Sequence, residues 1–173
     1  NIVGVCTAGL GNASGAFSQG ITMVDEWRVN ANFTPSQAST VSANWERNDT
    51  LYSQIGTGMV ESSGIFTFPQ TGIYQITVFF GGYDSGSAAY NGMQFRVSND
   101  SGGSYASIGA SYPSTTAGPT NPHFTGMITV ILDVTNASTF RVKLIVDKNG
   151  SPTYFGSTSA NFTGIQFVRL GDT

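Results

Sequence analysis

Residues 64–80, GIFTFPQTGIYQITVFF, decide the fold. Ile65, Phe66 and Phe68 are β-branched or aromatic, the side chains that fit a pleated surface. Pro69 fixes φ and has no N–H to give a ladder, and Gly72 takes positive φ at no steric cost, so 69–72 reads as a tight turn. Residues 73–80 then make a second, longer strand. Side chains alternate along a strand. Tyr74, Ile76, Val78 and Phe80 therefore share one face, and Ile73, Gln75, Thr77 and Phe79 share the other. Both faces carry apolar groups, which places the strand in mid-sheet, covered on both sides. The two strands together read as a hairpin.

Outward from this stretch the period of two recurs. On the N-terminal side, Met23, Trp27, Val29 and Phe33 share a parity, Trp45 marks a further segment, and Leu51, Ser53 and Ile55 read as a short strand. On the C-terminal side, Met93, Phe95 and Val97 alternate with Gln94, Arg96 and Ser98, the pattern of a half-buried strand. NDSGGS at 99–104 is a hairpin turn, and 105–112 is the returning strand. Pro113, Pro119 and Pro122 make 113–122 a loop. Residues 124–134 form another strand. Phe140, Val142, Leu144 and Val146 then alternate with Arg141, Lys143, Ile145 and Asp147. Asn149-Gly150 is a type I′ turn pair, and 162–170 closes the domain. The chain thus holds eight to ten strands, with no amphipathic helix and no internal repeat. That is an all-β, single-domain sandwich or jelly roll.

Residues 1–20 show neither period. Glycines punctuate them, yet Ile2, Val3, Val5, Leu10 and Phe17 are more apolar than most linkers. They read as a flexible arm or linker, either a disordered lead-in or a segment that lies on a partner, with the jelly roll over 21–173. The start has no initiating Met and no basic n-region, so the chain reads as processed, trimmed or a fragment.

The composition narrows the function. Only 10% of the 173 residues are charged, against about 25% in ordinary domains. Yet 39% are hydrophobic and 12% aromatic, too many for a disordered chain. The net charge is −3 and the seven basic residues are scattered, so no nucleic-acid footprint exists. No apolar run reaches the ~18 residues of a membrane span. The single Cys6 excludes an intrachain disulfide.

Catalytic chemistry is poorly supplied. One His and one Cys cannot furnish a zinc site, and no HExxH, GxSxG, P-loop or CxxC motif occurs. His123, at a loop-to-strand junction, reads as a structural or surface residue rather than a catalytic one. Most carboxylates border turns, where Asp is expected in any case. Asp84-Ser85-Gly86-Ser87 and Asn99-Asp100-Ser101-Gly102 offer oxygen ligands, so calcium is a weak possibility and no other cofactor is expected. Carbohydrate binding is better served. Tyr83, Asp84, Tyr90 and Asn91 lie in one loop, and aromatic rings beside amides and carboxylates suit sugar faces and hydroxyls. Tyr105, Tyr112 and Tyr154 fall near other loops.

The order strand, F-x-x-P-x-x-G-x-Y, aromatic strand resembles the signature of the complement globular-head and tumour-necrosis-factor-like jelly rolls. FTGIQF at 162–167 is similar to that family's last strand. The resemblance implies three jelly rolls around a threefold axis, packed through aromatic-rich strands, with outward loops for a ligand. The surplus of apolar side chains on 73–80 and 162–168 points the same way, since one sandwich needs only one apolar face per sheet. The expected interface is Ile73, Tyr74, Ile76, Val78, Phe80, Phe162, Ile165 and Phe167. Low charge and neutral loops, without a collagen-like stalk, look like the bacteriophage members of the family. The expected role is therefore a non-enzymatic, homotrimeric virion surface protein. It would act as a capsid decoration or cement protein, or as the head of a head or tail fibre, docked through the N-terminal arm or bound to a host glycan. The competing expectation is a secreted or cell-surface lectin-like module.

Overall fold

The computed structural model describes residues 21–118 and 120–173. The N-terminal arm lies outside them. The strands are β1 (Met23–Val29), β2 (Trp45–Arg47), β3 (Val60–Ser62), β4 (Ile65–Thr67), β5 (Gly72–Tyr83), β6 (Asn91–Ser98), β7 (Ala106–Ser111), β8 (His123–Val134), β9 (Arg141–Lys148), β10 (Thr153–Tyr154) and β11 (Gly164–Gly171). Among the described residues there is no helix, and so none that could cross a membrane.

The strands form two antiparallel sheets. The first runs β8-β5-β11-β1-β2, with the short β10 continuing along the β11 edge of β5. The second runs β3-β4-β9-β6-β7. β5 is central, as its two apolar faces imply: β8 lies along one edge and β11 along the other. The sheets face each other as a jelly-roll sandwich.

One expectation is corrected here. The turn at 69–72 does not close a hairpin. β4 belongs to the second sheet and β5 to the first, so the turn is an arch that carries the chain across the sandwich. The physical reason is burial: Phe66 and Phe68 on one side and Tyr74 and Ile76 on the other are all inside. Folding the strands over each other lets both apolar faces meet. Pairing them edge to edge would leave one more face in need of cover. The Asn149-Gly150 turn behaves likewise, joining β9 of the second sheet to β10 of the first. NDSGGS is a true hairpin turn between β6 and β7, with Ser101 at φ 63° and Gly102 at φ 95°. The strand expected around Leu51 and Ile55 is absent; the segment's one backbone pairing with β1 is an isolated bridge between Ile55 and Val24.

The core sits between the sheets. Met23, Tyr74, Ile76, Val78, Phe80, Ile165 and Phe167 come from the first sheet, and Phe66, Met93, Phe95, Val142, Leu144 and Val146 from the second. Phe66 is the joint: its ring meets Trp45 at 5.1 Å, Phe167 at 5.4 Å and Trp27 at 5.7 Å. Each such side chain contributes about 1.5–3 kcal/mol of burial.

That core takes most of the expected trimer interface. Tyr74, Ile76, Val78, Phe80, Ile165 and Phe167 are at most 2% exposed in the single chain. They fill the sandwich and present nothing to a partner. Of the eight expected interface residues, only Ile73 and Phe162 reach the surface.

Candidate functional site

The surplus apolar surface lies on the outer face of the first sheet. The parity of β5 that turns away from the core is Ile73, Gln75, Thr77 and Phe79, all half-buried. On β8 the same face holds His123, Thr125, Met127, Thr129, Ile131 and Asp133. Strand register sorts these groups into rows. Val24, Val168, Gln75 and Ile131 lie side by side across four strands. Next come Glu26, Gln166, Thr77 and Thr129. Gly164, Phe79 and Met127 follow. A polar row thus separates Val24, Val168 and Ile131 from Phe79 and Met127, and on β1 the last row ends at Arg28. The polar groups bond to one another: Gln166 Nε2 donates to Glu26 Oε2 at 3.0 Å, and the Thr77 and Thr129 hydroxyls are 3.3 Å apart. The flanking apolar groups are open, with Met127 67%, Ile131 59% and Phe162 50% exposed.

Each end of this face is built differently. At the β1–β2 edge, Arg28 is fully buried beneath an ionic lattice. Its guanidinium donates to Glu46 at 2.6 Å, Asp49 at 2.6 Å, Asn48 at 3.0 Å and Thr50 at 3.2 Å, and also to the Thr158 carbonyl. On the inner side of β1, buried Asp25 accepts from Arg47, the Trp27 indole and the Met59 N–H. These contacts fix β2 and the 48–59 loop against β1. Where β5 ends and β8 begins an aromatic group gathers. Phe155 lies 5.3 Å from His123, 5.8 Å from Tyr83 and 5.8 Å from Phe162. His123 pairs in register with Tyr83, so it belongs to this stacked surface.

The expected ligand loop divides in two. Asp84 and Asn91 are buried, and they lock the loop from within. Asp84 Oδ1 accepts from the Gly86 N–H at 3.0 Å, while Oδ2 accepts from Asn91 Nδ2 at 3.1 Å and the Ser151 N–H at 2.9 Å. Neither is a surface ligand group. An Asp beside Gly and Ser caps local N–H groups in the way turns require. Tyr83 and Tyr90 stay partly exposed but separate: Tyr83 joins the aromatic group just described, whereas Tyr90 turns to Tyr112, 5.7 Å away. Tyr154 is in the core, and the Tyr105 ring lies under the Lys143 ammonium at 3.9 Å. Asp100, the other proposed oxygen ligand, accepts from Ser98 Oγ at 2.6 Å and Ser104 Oγ at 2.7 Å. Those bonds, Ser98's first, hold its carboxyl well below the usual carboxylate range. Among the described residues no group of three or more His, Cys, Asp or Glu could hold a metal ion.

One cluster was not read from the sequence: Tyr112, Asp147, Gln94 and Gln37 converge on the outer face of the second sheet. Strand parity alone puts Gln94 and Asp147 outward. Bringing Tyr112 and Gln37 beside them takes the tertiary fold.

No family model matches this sequence, and no curated protein is similar to it in sequence. Solved structures do match. An Eiger tumour necrosis factor from S. frugiperda superposes with a TM-score of 0.70 at 12% identity, over 89% of this chain and 96% of that one. Murine APRIL at pH 8.5 gives 0.58 at 14% identity, over 86% and 98%. The globular domain of zebrafish complement 1qA gives 0.58 at 8% identity, over 87% and 99%. At such identities the likeness is one of fold, and the chain has the two-sheet jelly roll of the tumour-necrosis-factor-like and complement globular-head proteins.

Proposed function

We propose that this chain works as a non-enzymatic, homotrimeric binding module, joined through the outer face of its β8-β5-β11-β1-β2 sheet. The observation that carries the reading is the pair of open apolar rows on that face. Exposed apolar groups gathered on one sheet face of a weakly charged protein mark an association site. Burying a Met, Ile or Phe there contributes about 1.5–3 kcal/mol each. The polar row between them is partly bonded to itself, which lowers the cost of enclosing it.

For the setting, a bacteriophage virion surface is the reading that composition supports, as a capsid decoration or cement protein or a fibre head. The 10% charge and the neutral Gly-, Ser- and Thr-rich loops are its basis. The N-terminal arm would dock the module on capsid or fibre. A secreted or cell-surface lectin-like module is the second reading, favoured by the tyrosine-lined cleft on the other sheet.

Mass in solution tests the first claim. Light scattering at micromolar concentration should give three times the 18.2 kDa of one chain. A monodisperse monomer would overturn it. Detecting the chain in purified virions tests the setting.

A further inference from the structure

We propose that the cleft between Tyr90 and Tyr112, on the outer face of the β3-β4-β9-β6-β7 sheet, binds a neutral pyranose sugar that donates a hydroxyl to Asp147. The proposal deepens the lectin-like reading. It concerns the sheet opposite the proposed trimer face, so it does not depend on the trimer.

The cleft is lined by Ala89, Tyr90, Tyr112 and Asp147, and its volume is about 330 Å³. That is the lower end of the range of about 300–1,000 Å³ typical of small-molecule sites. Two tyrosine rings meet there nearly at right angles, 83° apart, and form an apolar corner. The corner depends on Gly92. A Cβ on Gly92 would lie 2.5 Å from Tyr112 Cδ1, so only glycine lets that ring settle against the sheet beside Asp147. The Tyr90 backbone is tied to the β9–β10 turn by a bond from the Asn149 N–H to its carbonyl at 3.1 Å.

Asp147 is the polar centre. Its Oδ2 accepts from Gln94 Nε2 at 2.6 Å and from the Tyr112 hydroxyl at 3.0 Å, and its Oδ1 accepts from Gln37 Nε2 at 2.8 Å. The donors are themselves anchored. Gln94 Oε1 accepts from Arg96 at 2.8 Å, and Gln37 Oε1 accepts from the Lys148 N–H at 2.5 Å. All three direct donors are neutral. Among the described residues Asp147 has no Lys or Arg within ion-pair distance. Its hydrogen bonds, Gln37's first, hold the carboxyl below the usual carboxylate range, so it stays an acceptor at neutral pH.

This arrangement selects its ligand. An ionised carboxylate offers about four lone-pair positions, and three are filled. One remaining acceptor suits a single hydroxyl donor better than an ammonium with three. The C–H surface of a pyranose ring matches a tyrosine corner, and its hydroxyls match the Gln94, Tyr112 and Asp147 rim.

The test uses the whole chain and named probes: methyl glycosides of glucose, galactose, mannose and N-acetylglucosamine, with methylammonium as the cationic alternative. Saturation-transfer NMR and calorimetry should show saturable, millimolar binding of at least one glycoside. Tyr112→Ala and Asp147→Asn should each weaken it by about tenfold or more. Tyr112→Phe keeps the ring and should weaken it less, while Tyr83→Ala on the other sheet should leave it unchanged. Melting curves and light scattering on each variant separate a lost site from a lost fold or a lost trimer. The proposal is overturned if no glycoside binds up to about 50 mM, a limit far weaker than ordinary sites. It also fails if binding survives both Tyr112→Ala and Asp147→Asn, or if methylammonium binds and the glycosides do not.

Discussion

The rings of Phe68 and Tyr74 meet edge to face, 4.9 Å apart, on opposite sides of the 69–72 arch. Phe68 leaves the second sheet and Tyr74 enters the first, so the contact spans the sandwich at the place where the chain crosses it. The Tyr74 hydroxyl donates to the Gln70 carbonyl at 2.9 Å, which ties the arch to the strand that follows. Both side chains are buried.

Truncating this contact should be costly. Phe68→Ala removes a buried ring beneath a fixed arch, and such changes cost about 3–5 kcal/mol. Tyr74→Phe keeps the packing and removes only the hydroxyl bond, for about 0.5–1.5 kcal/mol. Urea midpoints at constant slope measure both. Equal losses from the two variants would mean that the hydroxyl, not the ring pair, holds the arch.

The strands around this arch were legible in the sequence, but the pairing was not. Period two in 73–80 and 140–147 reports which side chains share a face. It carries no information on which strand lies alongside. A Pro–Gly turn closes a hairpin or an arch with the same residues, so β4 and β5 read as partners although they lie in different sheets. The apolar surplus is real, yet six of the eight expected interface residues, four on β5 and two on β11, face the core. Tyr74 to Phe80 are the larger groups and look like the interface, but size also suits the core. Ile73 and Phe79, which alternate with Gln75 and Thr77, are the ones left outside. At the loops, Asp84 and Asn91 carry ligand-like chemistry, and only their burial reveals that they bind each other. Tyr112 and Asp147 are 35 residues apart in sequence, and nothing local announces that they bond.

Arg28 should be the costliest single charge to remove. Its guanidinium is enclosed, and five acceptors around it depend on its protons. Arg28→Ala leaves Glu46 Oε1 without a donor and removes a fully buried side chain, while Asn48 Oδ1 keeps the Thr50 N–H, a loss of about 3–5 kcal/mol. Arg28→Lys should recover little, because an ammonium cannot reproduce the planar fork. Thermal melts of the two variants check this. A lysine variant as stable as the parent would show that charge alone, without geometry, satisfies the lattice.

Tyr52 makes the fold sensitive to alkali. Its hydroxyl donates to the Val24 carbonyl at 2.9 Å. Burial first, and then the Asp25 and Glu26 carboxylates, push its pKa up to about 12. The folded state thus keeps a proton that the unfolded chain gives up near pH 10. Stability from this group is complete below pH 10 and falls as the pH rises toward 12. Phenolate absorbance should place a tyrosine near that value, and Tyr52→Phe should remove its titration and lessen the alkaline decline in melting temperature, the rest falling to the other tyrosines that burial raises, such as Tyr74 and Tyr154. An unchanged decline would assign the sensitivity to another group.

The two faces of the first sheet predict opposite fates for the same substitution. Ile76 and Ile131 lie on neighbouring strands but on opposite parities, the first in the core and the second on the outer face. Ile76→Asp buries an unpaired carboxylate, and the chain should fail to fold. Ile131→Asp puts the charge on the surface of the single chain, where it costs the fold little. At a trimer interface it would meet two copies of itself near the threefold axis or face an apolar neighbour, and either outcome separates the subunits. Ile131→Asp should therefore give a folded protein with strand-type circular dichroism and the mass of one chain. Met127→Glu, on the apolar row across from it, should do the same independently. If both variants keep the mass of the parent trimer, the subunits meet through some other surface. If Ile131→Asp unfolds as Ile76→Asp does, the outer face is stabilised only in the assembled state, and dilution of the parent protein should then unfold and dissociate it together.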